Sequence, residues 1–441
     1  MAVTSDILAT IDVTSYNSLK ELYEDLLALK KDVFTNDDRI VIIYNSTNQK
    51  DLIDELLEAI DIPEFFVTFK TNDNTDGIDF KFSDSFCIYP WINLHISPIG
   101  DISPCCMQPV PFSNLNKLSI KDAHLSNYMK DLRQRLSEGH RPSSCSGCWK
   151  DEAVGKPSMR QLSKHKFKEI YYQTDYLQDN INNLQIFDLR LGNNCNLTCN
   201  ICEPVNSSSI AKKQHKEGVL TTKEFNQITQ ATKWADSKEF WNQLLALIGN
   251  IKYLDLYGGE PLMSKPHFSF LKKLIDLGVS KDIKIDYNSN GTIYSKKFFN
   301  LWKHFKEVKI SFSIDDIGER FEAQRVGAGW SDVCNNIIKY NLLRSDKFIT
   351  EVYPTVSIQN VFYLPELLEW IDTQDFDFVA SFNIVRVPKT YSIESLDIAT
   401  RETIITKLKS KDDARLNPII KLLNNPSNIA KQHRQITIVK V

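Results

Sequence analysis

From residue 184 onward the chain keeps returning to one pattern. A short apolar or alternating run is followed by a knot of polar residues, then by a stretch whose apolar positions recur every three or four residues. Leu184–Leu191, Ile251–Tyr257, Ile283–Tyr287, Val308–Ile314, Val352–Ile358 and Phe378–Val387 read as strands. Pro266–Leu277, Ser295–Phe305, Ser331–Leu343 and Pro365–Ile371 read as helices, with Pro266 in a first turn, Gly278 as a stop and Ser331 as a cap. Six strands alternating with helices predict an α/β fold with a parallel sheet, curled into a partial (β/α)6 barrel. Ligands of parallel α/β folds bind at the C-terminal ends of strands, and the polar knots here follow strands.

The first 79 residues show the same two patterns on a smaller scale. Leu22, Leu26, Leu27 and Leu29 give Leu19–Leu29 a helical spacing, and Arg39–Tyr44 reads as a buried strand. Asp51–Ile60 reads as a second helix and Phe65–Phe69 as another strand. This predicts a small α/β appendage that covers the next domain or binds a partner. The Asn- and Asp-rich Thr71–Gly77 reads as a linker. Ile92–Ile96 and Ile102–Cys105, joined by a turn at Pro98–Asp101, read as a β-hairpin, and Ala123–Leu136 as a helix. Phe167–Gln178 reads as a helix feeding the core. The tail from Glu394 is helical, punctuated at Pro418 and Pro426. It ends in the strand-like Gln435–Val441, which either pairs with an edge strand or marks a chain cut short.

A length of 441 residues implies two or three domains, and 42% hydrophobic with 25% charged residues is ordinary for a soluble globular protein. A net charge of −3 gives no bulk-charge argument for nucleic-acid binding. Met1–Ile11 lacks the features of a signal peptide and no apolar run is long enough to span a bilayer, so a cytoplasmic location is expected. The nine cysteines are odd in number and mostly bunched, which argues for metal ligation in a reducing compartment over a disulfide framework.

The bunching is tightest in Cys195-Asn-Leu-Thr-Cys199-Asn-Ile-Cys202, a loop after the first of the six strands. Three thiolates suit a 4Fe–4S cluster with one iron left open, whereas structural zinc sites complete four protein ligands. Burial as three small apolar residues fits poorly with the Asn and Thr around them. The next strand ends in Gly258-Gly259-Glu260-Pro261. Its glycines allow close backbone approach to a ligand, and Glu260 offers a carboxylate to an ammonium.

On these two motifs the chain resembles the radical S-adenosylmethionine (SAM) family over roughly residues 184–390. The resemblance implies that Cys195, Cys199 and Cys202 hold a 4Fe–4S cluster whose open iron is chelated by SAM. It implies that Gly258, Gly259 and Glu260 hold SAM through its amino group. Asn290 after the third strand, and Ser313 with Asp315 after the fourth, match positions that contact the ribose and methionine of SAM. Arg325 resembles the arginine that pairs with the SAM carboxylate. The implied activity is reductive cleavage of SAM to a 5′-deoxyadenosyl radical that abstracts a substrate hydrogen, with a flavodoxin- or ferredoxin-type one-electron reductant as partner.

A second group of cysteines precedes this core. Cys87 and Cys105 stand at the two ends of the expected hairpin, and Cys145-Ser-Gly-Cys148 forms a knuckle. Four thiolates of this kind fit a structural zinc or a fully ligated Fe–S cluster. Gly100 to Cys105 followed by the knuckle resembles the twitch domain, the shortened SPASM auxiliary-cluster domain. That implies a second, auxiliary 4Fe–4S cluster on Cys87, Cys105, Cys145 and Cys148, in a domain that here precedes the core. Cys105 is favoured over Cys106 on spacing. Glu152, Gly155, Ser158 and Arg160 resemble residues that follow the knuckle in twitch relatives and either face the active site or form a polar connector. His95 and Cys334 read as packing residues.

The expected organisation is therefore an α/β appendage at 1–79, a twitch-like domain at 80–165, a radical SAM core at 166–393 and a helical tail at 394–441. A peptide or protein is the leading substrate class, with a small metabolite or nucleotide next. The rival from another class is a non-catalytic binding protein held together by metal.

Overall fold

A computed structural model of the chain describes residues 7–12, 19–36, 39–44, 53, 56, 67–71, 83–153, 157–174, 176, 179–378 and 382–424. The chain forms two compact units, Met1–His95 with Asp101–Phe187, and Ile96–Gly100 with Asp188–Val441.

The first unit opens with a parallel three-stranded sheet of β1 (Ile7–Asp12), β2 (Arg39–Tyr44) and β3 (Val67–Thr71) in that order. The helix Leu19–Asn36 buries Leu22, Tyr23 and Leu26, one stripe of a 3.6-residue period. Leu27, expected on that stripe, is 44% exposed because it lies a residue beyond the buried face. Of the expected helix 51–60 only Ile53 and Leu56 are described, and both are buried. The expected linker beyond Thr71 lies outside the described residues.

After residue 83 a single helical turn, Tyr89–Ile92, precedes β4 (Asn93–Ile96). The expected strand starts one residue later because Pro90 sits in the first turn of a helix, where its missing N–H costs nothing. β5 (Asp101–Ser103) pairs antiparallel with β6 (Ser113–Asn114). The helix expected over 123–136 is two, Ile120–His124 and Asn127–Ser137. Ser126 breaks it: its hydroxyl accepts from the Met129 N–H and caps a new start. The knuckle lies at the junction of a short turn, Ser143–Cys145, with the helix Ser146–Ala153. A capping box between Ser158 and Gln161 starts the helix Met159–Lys166.

From β7 (Ile186–Arg190) onward, β7, β8 (Tyr253–Tyr257), β9 (Lys284–Ser289), β10 (Glu307–Phe312), β11 (Phe348–Val352) and β13 (Asp377–Phe378) lie side by side in that order. The pairs from β8 to β13 are parallel. Strands that neighbour in sequence order, each separated by helix, are the winding of a (β/α) barrel rather than of a doubly wound sheet, which reverses direction. The fold is mixed α/β with a mostly parallel sheet, as the periodicity implies.

The fifth strand is displaced from its expected place. It runs Phe348–Val352 instead of Val352–Ile358 because Pro354 has no N–H to continue the ladder. Thr355–Val356 (β12) and Asn383–Ile384 (β14) pair separately, splitting the expected run 378–387. Ser331 is not a cap: the helix begins at Trp330, whose N–H is met by Glu322 Oε1 at 2.7 Å. The tail contains helices Ile398–Lys409 and Asn417–Asn424, with Pro418 inside the second; Gln435–Val441 lies outside the described residues.

One face of the sheet packs on helices. Tyr287 of β9 meets His267 and Trp302, and Phe312 of β10 meets Tyr340. The other face is polar, with Lys309 between Asp286 at 3.4 Å and Glu351 at 3.3 Å. Among the described residues no helix is long and apolar enough to cross a membrane.

Candidate functional site

The ends of β7, β8, β9 and β10 bring most of the expected core residues together. The Cys195–Cys202 loop leaves β7 and is held from two sides. On one side the start of the helix Ser208–Lys216 grips it: Ser209 Oγ donates to the Cys195 carbonyl at 2.7 Å and Ser207 Oγ to the Leu197 carbonyl at 2.7 Å. On the other side the segment after helix Gly318–Gln324 straps it: the Thr198 N–H donates to the Val326 carbonyl at 2.9 Å and the Asn200 N–H to Gln324 at 3.0 Å. All three cysteines are half-buried. Burial pushes all three thiols above their ordinary range, Cys202 to about 12, with the neighbouring Cys199 adding to the rise. The thiols thus stand close enough to feel one another, and the Arg325 guanidinium beside Cys199 and Cys202 works in the opposite direction.

The Gly258-Gly259-Glu260 turn closes against this loop. A side chain at Gly259, whose φ is +56°, would bring a Cβ to 2.5 Å from the Asn194 carbonyl oxygen, and one at Gly258 would meet Arg190 Cα at 2.8 Å. Only glycine permits both the left-handed backbone and the contact. The Glu260 N–H then donates to that same Asn194 carbonyl at 2.8 Å. The Glu260 carboxylate is 1% exposed and accepts from the Asn290 N–H at 2.8 Å, the Leu262 N–H at 3.2 Å and Ser289 Oγ at 3.1 Å. Burial pushes its carboxyl up to about 7, against the hydrogen bonds from Asn290 and Leu262.

The weaker expected positions are in the same place, tied into the protein itself. Asn290 Nδ2 donates to Asn196 Oδ1 at 3.1 Å and points at Cys195 Sγ, 3.8 Å away. Asp315 accepts from Arg325 through Nε at 2.9 Å and a terminal nitrogen at 2.7 Å, and from the Thr355 N–H at 2.8 Å. Ser313 is half-buried and joined to Ser289 through its N–H at 2.9 Å.

Sequence reasoning passed over Ser289, which braces Glu260, and Asn360, whose Nδ2 donates to the Asp315 carbonyl at 2.8 Å. It also passed over the helices between β7 and β8. Thr221-x-x-Glu224 is a capping-box signature, and it starts the helix Thr222–Ala231. No comparable signal marks Ser289 or Asn360, since their partners are distant in sequence.

In the first unit, Cys87, Cys105, Cys145 and Cys148 line one cavity together with apolar residues that include Leu132, Leu136 and Met159. The cavity is small, about 20 Å³. Residues 87–149 match the SPASM family, an iron-sulfur cluster-binding domain.

The SPASM segment fits that group by its chemistry. Its four thiols surround a volume. Four thiols are the donor set of a fully ligated Fe–S cluster. Cys105, not Cys106, faces the cavity; Cys106 Sγ instead meets Met159 Sδ at 3.7 Å. Burial raises all four thiols, and their mutual proximity raises Cys87 and Cys105 further. His95 is buried in β4 and does not line the cavity. Glu152, Ser158 and Arg160 form one network beside the SPASM cysteines, described below; Gly155 lies outside the described residues.

Solved structures give partial likenesses. Streptococcus suis SuiB bound to S-adenosylmethionine matches 49% of this chain at 15% identity and a TM-score of 0.31, and the chain spans 42% of it. Native anSMEcpe with bound AdoMet matches 50% at 14% identity and a TM-score of 0.32, with 58% of it spanned. SuiB bound to the precursor peptide SuiA matches 73% at 13% identity and a TM-score of 0.33, with 68% of it spanned. No curated protein matches the sequence.

Proposed function

We propose that the chain is a radical SAM enzyme acting on a peptide or protein. The observation that carries this reading is the meeting of three thiols, the double-glycine turn and the buried Glu260 carboxylate at adjoining strand ends of one parallel sheet. Cys195, Cys199 and Cys202 would hold a 4Fe–4S cluster with no fourth protein ligand. Such a cluster, when bound and reduced, supplies the electron that splits the SAM sulfonium to give a 5′-deoxyadenosyl radical.

The chain's own residues bind and orient. Glu260, with lone pairs left on both oxygens, would accept from the SAM ammonium, and Gly258 and Gly259 would let the ligand approach the backbone. Asn290, Ser313, Asp315 and Arg325 would border the ribose and carboxylate. Arg325 keeps a cation beside Cys199 and Cys202 and favours their ionised, ligating form, while its partner Asp315 opposes that at Cys199. No general acid or base is needed for these tasks.

In the SPASM segment Cys87, Cys105, Cys145 and Cys148 would hold an auxiliary cluster. Four ligands leave no open iron, which favours electron transfer over direct substrate binding there. The resemblance to SPASM proteins, which often modify peptides or proteins, supports the substrate class. The electrons would come from a flavodoxin- or ferredoxin-type donor.

Anaerobic reconstitution tests the reading. About eight iron and eight sulfide per chain are expected, with 5′-deoxyadenosine formed from SAM and dithionite. Zinc without sulfide, and no cleavage product, would overturn it in favour of a metal-held binding protein.

A further inference from the structure

Among the described residues lining the cavity with the four SPASM cysteines, Arg160 alone carries a charge. Its side chain is 11% exposed and every arm is engaged. Nε and one terminal nitrogen clasp Glu152, at 2.9 Å to Oε1 and 2.9 Å to Oε2, and the other terminal nitrogen donates to the Phe86 carbonyl at 2.7 Å. The guanidinium carbon lies 5.1 Å from the centre of the Trp149 ring. Phe86 precedes Cys87 and Trp149 follows Cys148. One side chain therefore joins two cysteine-bearing segments that are far apart in sequence. Ser158 Oγ, buried, also donates to Glu152 Oε1, at 2.5 Å.

We propose that Arg160 and Glu152 are a paired setting device for the reduction potential of the SPASM cluster, acting with opposite sign. The inference rests on the auxiliary cluster and not on SAM chemistry. Reduction by one electron adds a negative charge to a cluster already ligated by four thiolates. In a largely apolar cavity that charge is poorly screened by water, so a fixed guanidinium favours the reduced form and a fixed carboxylate opposes it. At the cluster the two charges partly cancel, and the bidentate clasp fixes the difference that remains by holding both at set distances. Arg160 is a positioning and charge-setting residue.

The test uses the full chain with Cys195, Cys199 and Cys202 replaced by Ser, so that the SPASM cluster alone gives a signal. Dithionite titration followed by electron paramagnetic resonance reads its potential. R160Q is expected to lower the potential and E152Q to raise it, with R160K close to the parent because it keeps the charge. A merely structural role would move R160Q and E152Q the same way, or R160K as far as R160Q, and either result overturns the proposal. Loss of the cluster in R160Q alone, with R160K unshifted and E152Q raised, still supports it. If the parent binds no iron and sulfide at this site, the auxiliary-cluster reading falls first and the proposal with it.

Discussion

Arg325 and Asp315 form a buried ion pair at the end of β10, both contacts falling on the same carboxylate oxygen at 2.9 and 2.7 Å. The resemblance implies that Arg325 pairs with a ligand carboxylate, yet here it already holds a protein one. The pair also locks the segment whose Gln324 and Val326 carbonyls strap the cysteine loop. Replacing Arg325 with Ala would leave the Asp315 charge buried with only the Thr355 N–H beside it. Removing one member of a buried pair costs about 3–5 kcal/mol. Urea denaturation should show that loss, and Asp315→Asn combined with Arg325→Met should recover much of it.

Cys199 lies in the middle of the strapped loop, between the two hydrogen bonds to residues 324 and 326. Cys199→Ala should therefore leave the loop in place while removing one thiolate. Iron and sulfide should fall by one cluster, with SAM cleavage lost and the SPASM iron retained. Cleavage at the parent rate would show that this loop does not hold the SAM-binding cluster.

Gly259→Ala meets a barrier of backbone against backbone. Its Cβ would lie 2.5 Å from the Asn194 carbonyl oxygen, at a φ of +56°. The left-handed conformation alone costs about 1–2 kcal/mol for a side-chain residue, and the contact adds to it. The turn would have to shift away from the cysteine loop, taking Glu260 with it. SAM affinity by calorimetry should fall by more than tenfold with a modest loss of thermal stability. Unchanged affinity would mean that the turn does not position the ligand.

His267 is fully buried between Pro261 and Tyr287, its Nε2 2.9 Å from the Tyr287 hydroxyl. Burial lowers its pKa from 6.5 to about 4. A histidine depressed in the folded state binds fewer protons there than in the unfolded chain. Stability is thus complete above pH 6.5 and is lost as pH falls toward 4, by about 3 kcal/mol for this shift. His124, lowered to about 3 by burial and by Arg133, adds with the same sign. Chemical denaturation between pH 4 and 7 should show this slope, and His267→Gln should reduce it without abolishing it.

Much of the second unit was legible because its signals are local. Strand periodicity, Pro266 in a first turn and Gly278 after a helix each describe a few neighbouring residues, and the helix Lys265–Asp276 forms within one residue of the expected bounds. Where a single residue overrules periodicity, the reading slipped: Pro354 moved the fifth strand, and Ser126 cut one helix into two. Spacing favoured Cys105 over Cys106, and only the tertiary structure shows that Cys105 lines the cavity while Cys106 meets Met159, because adjacent residues point in different directions.

The sequence alone determined the alternation of strands and helices, the spacing of the thiols and the glycines of the turn, since each depends on bonds between near neighbours. The tertiary structure decided the partners. That Glu260 is braced by Ser289 and Asn290, that Arg325 is held by Asp315, and that Arg160 ties Phe86 to Glu152 depends on strands and loops brought together by burial. Charges inside a low-dielectric interior must find partners wherever the packing puts them, and no local pattern encodes that choice.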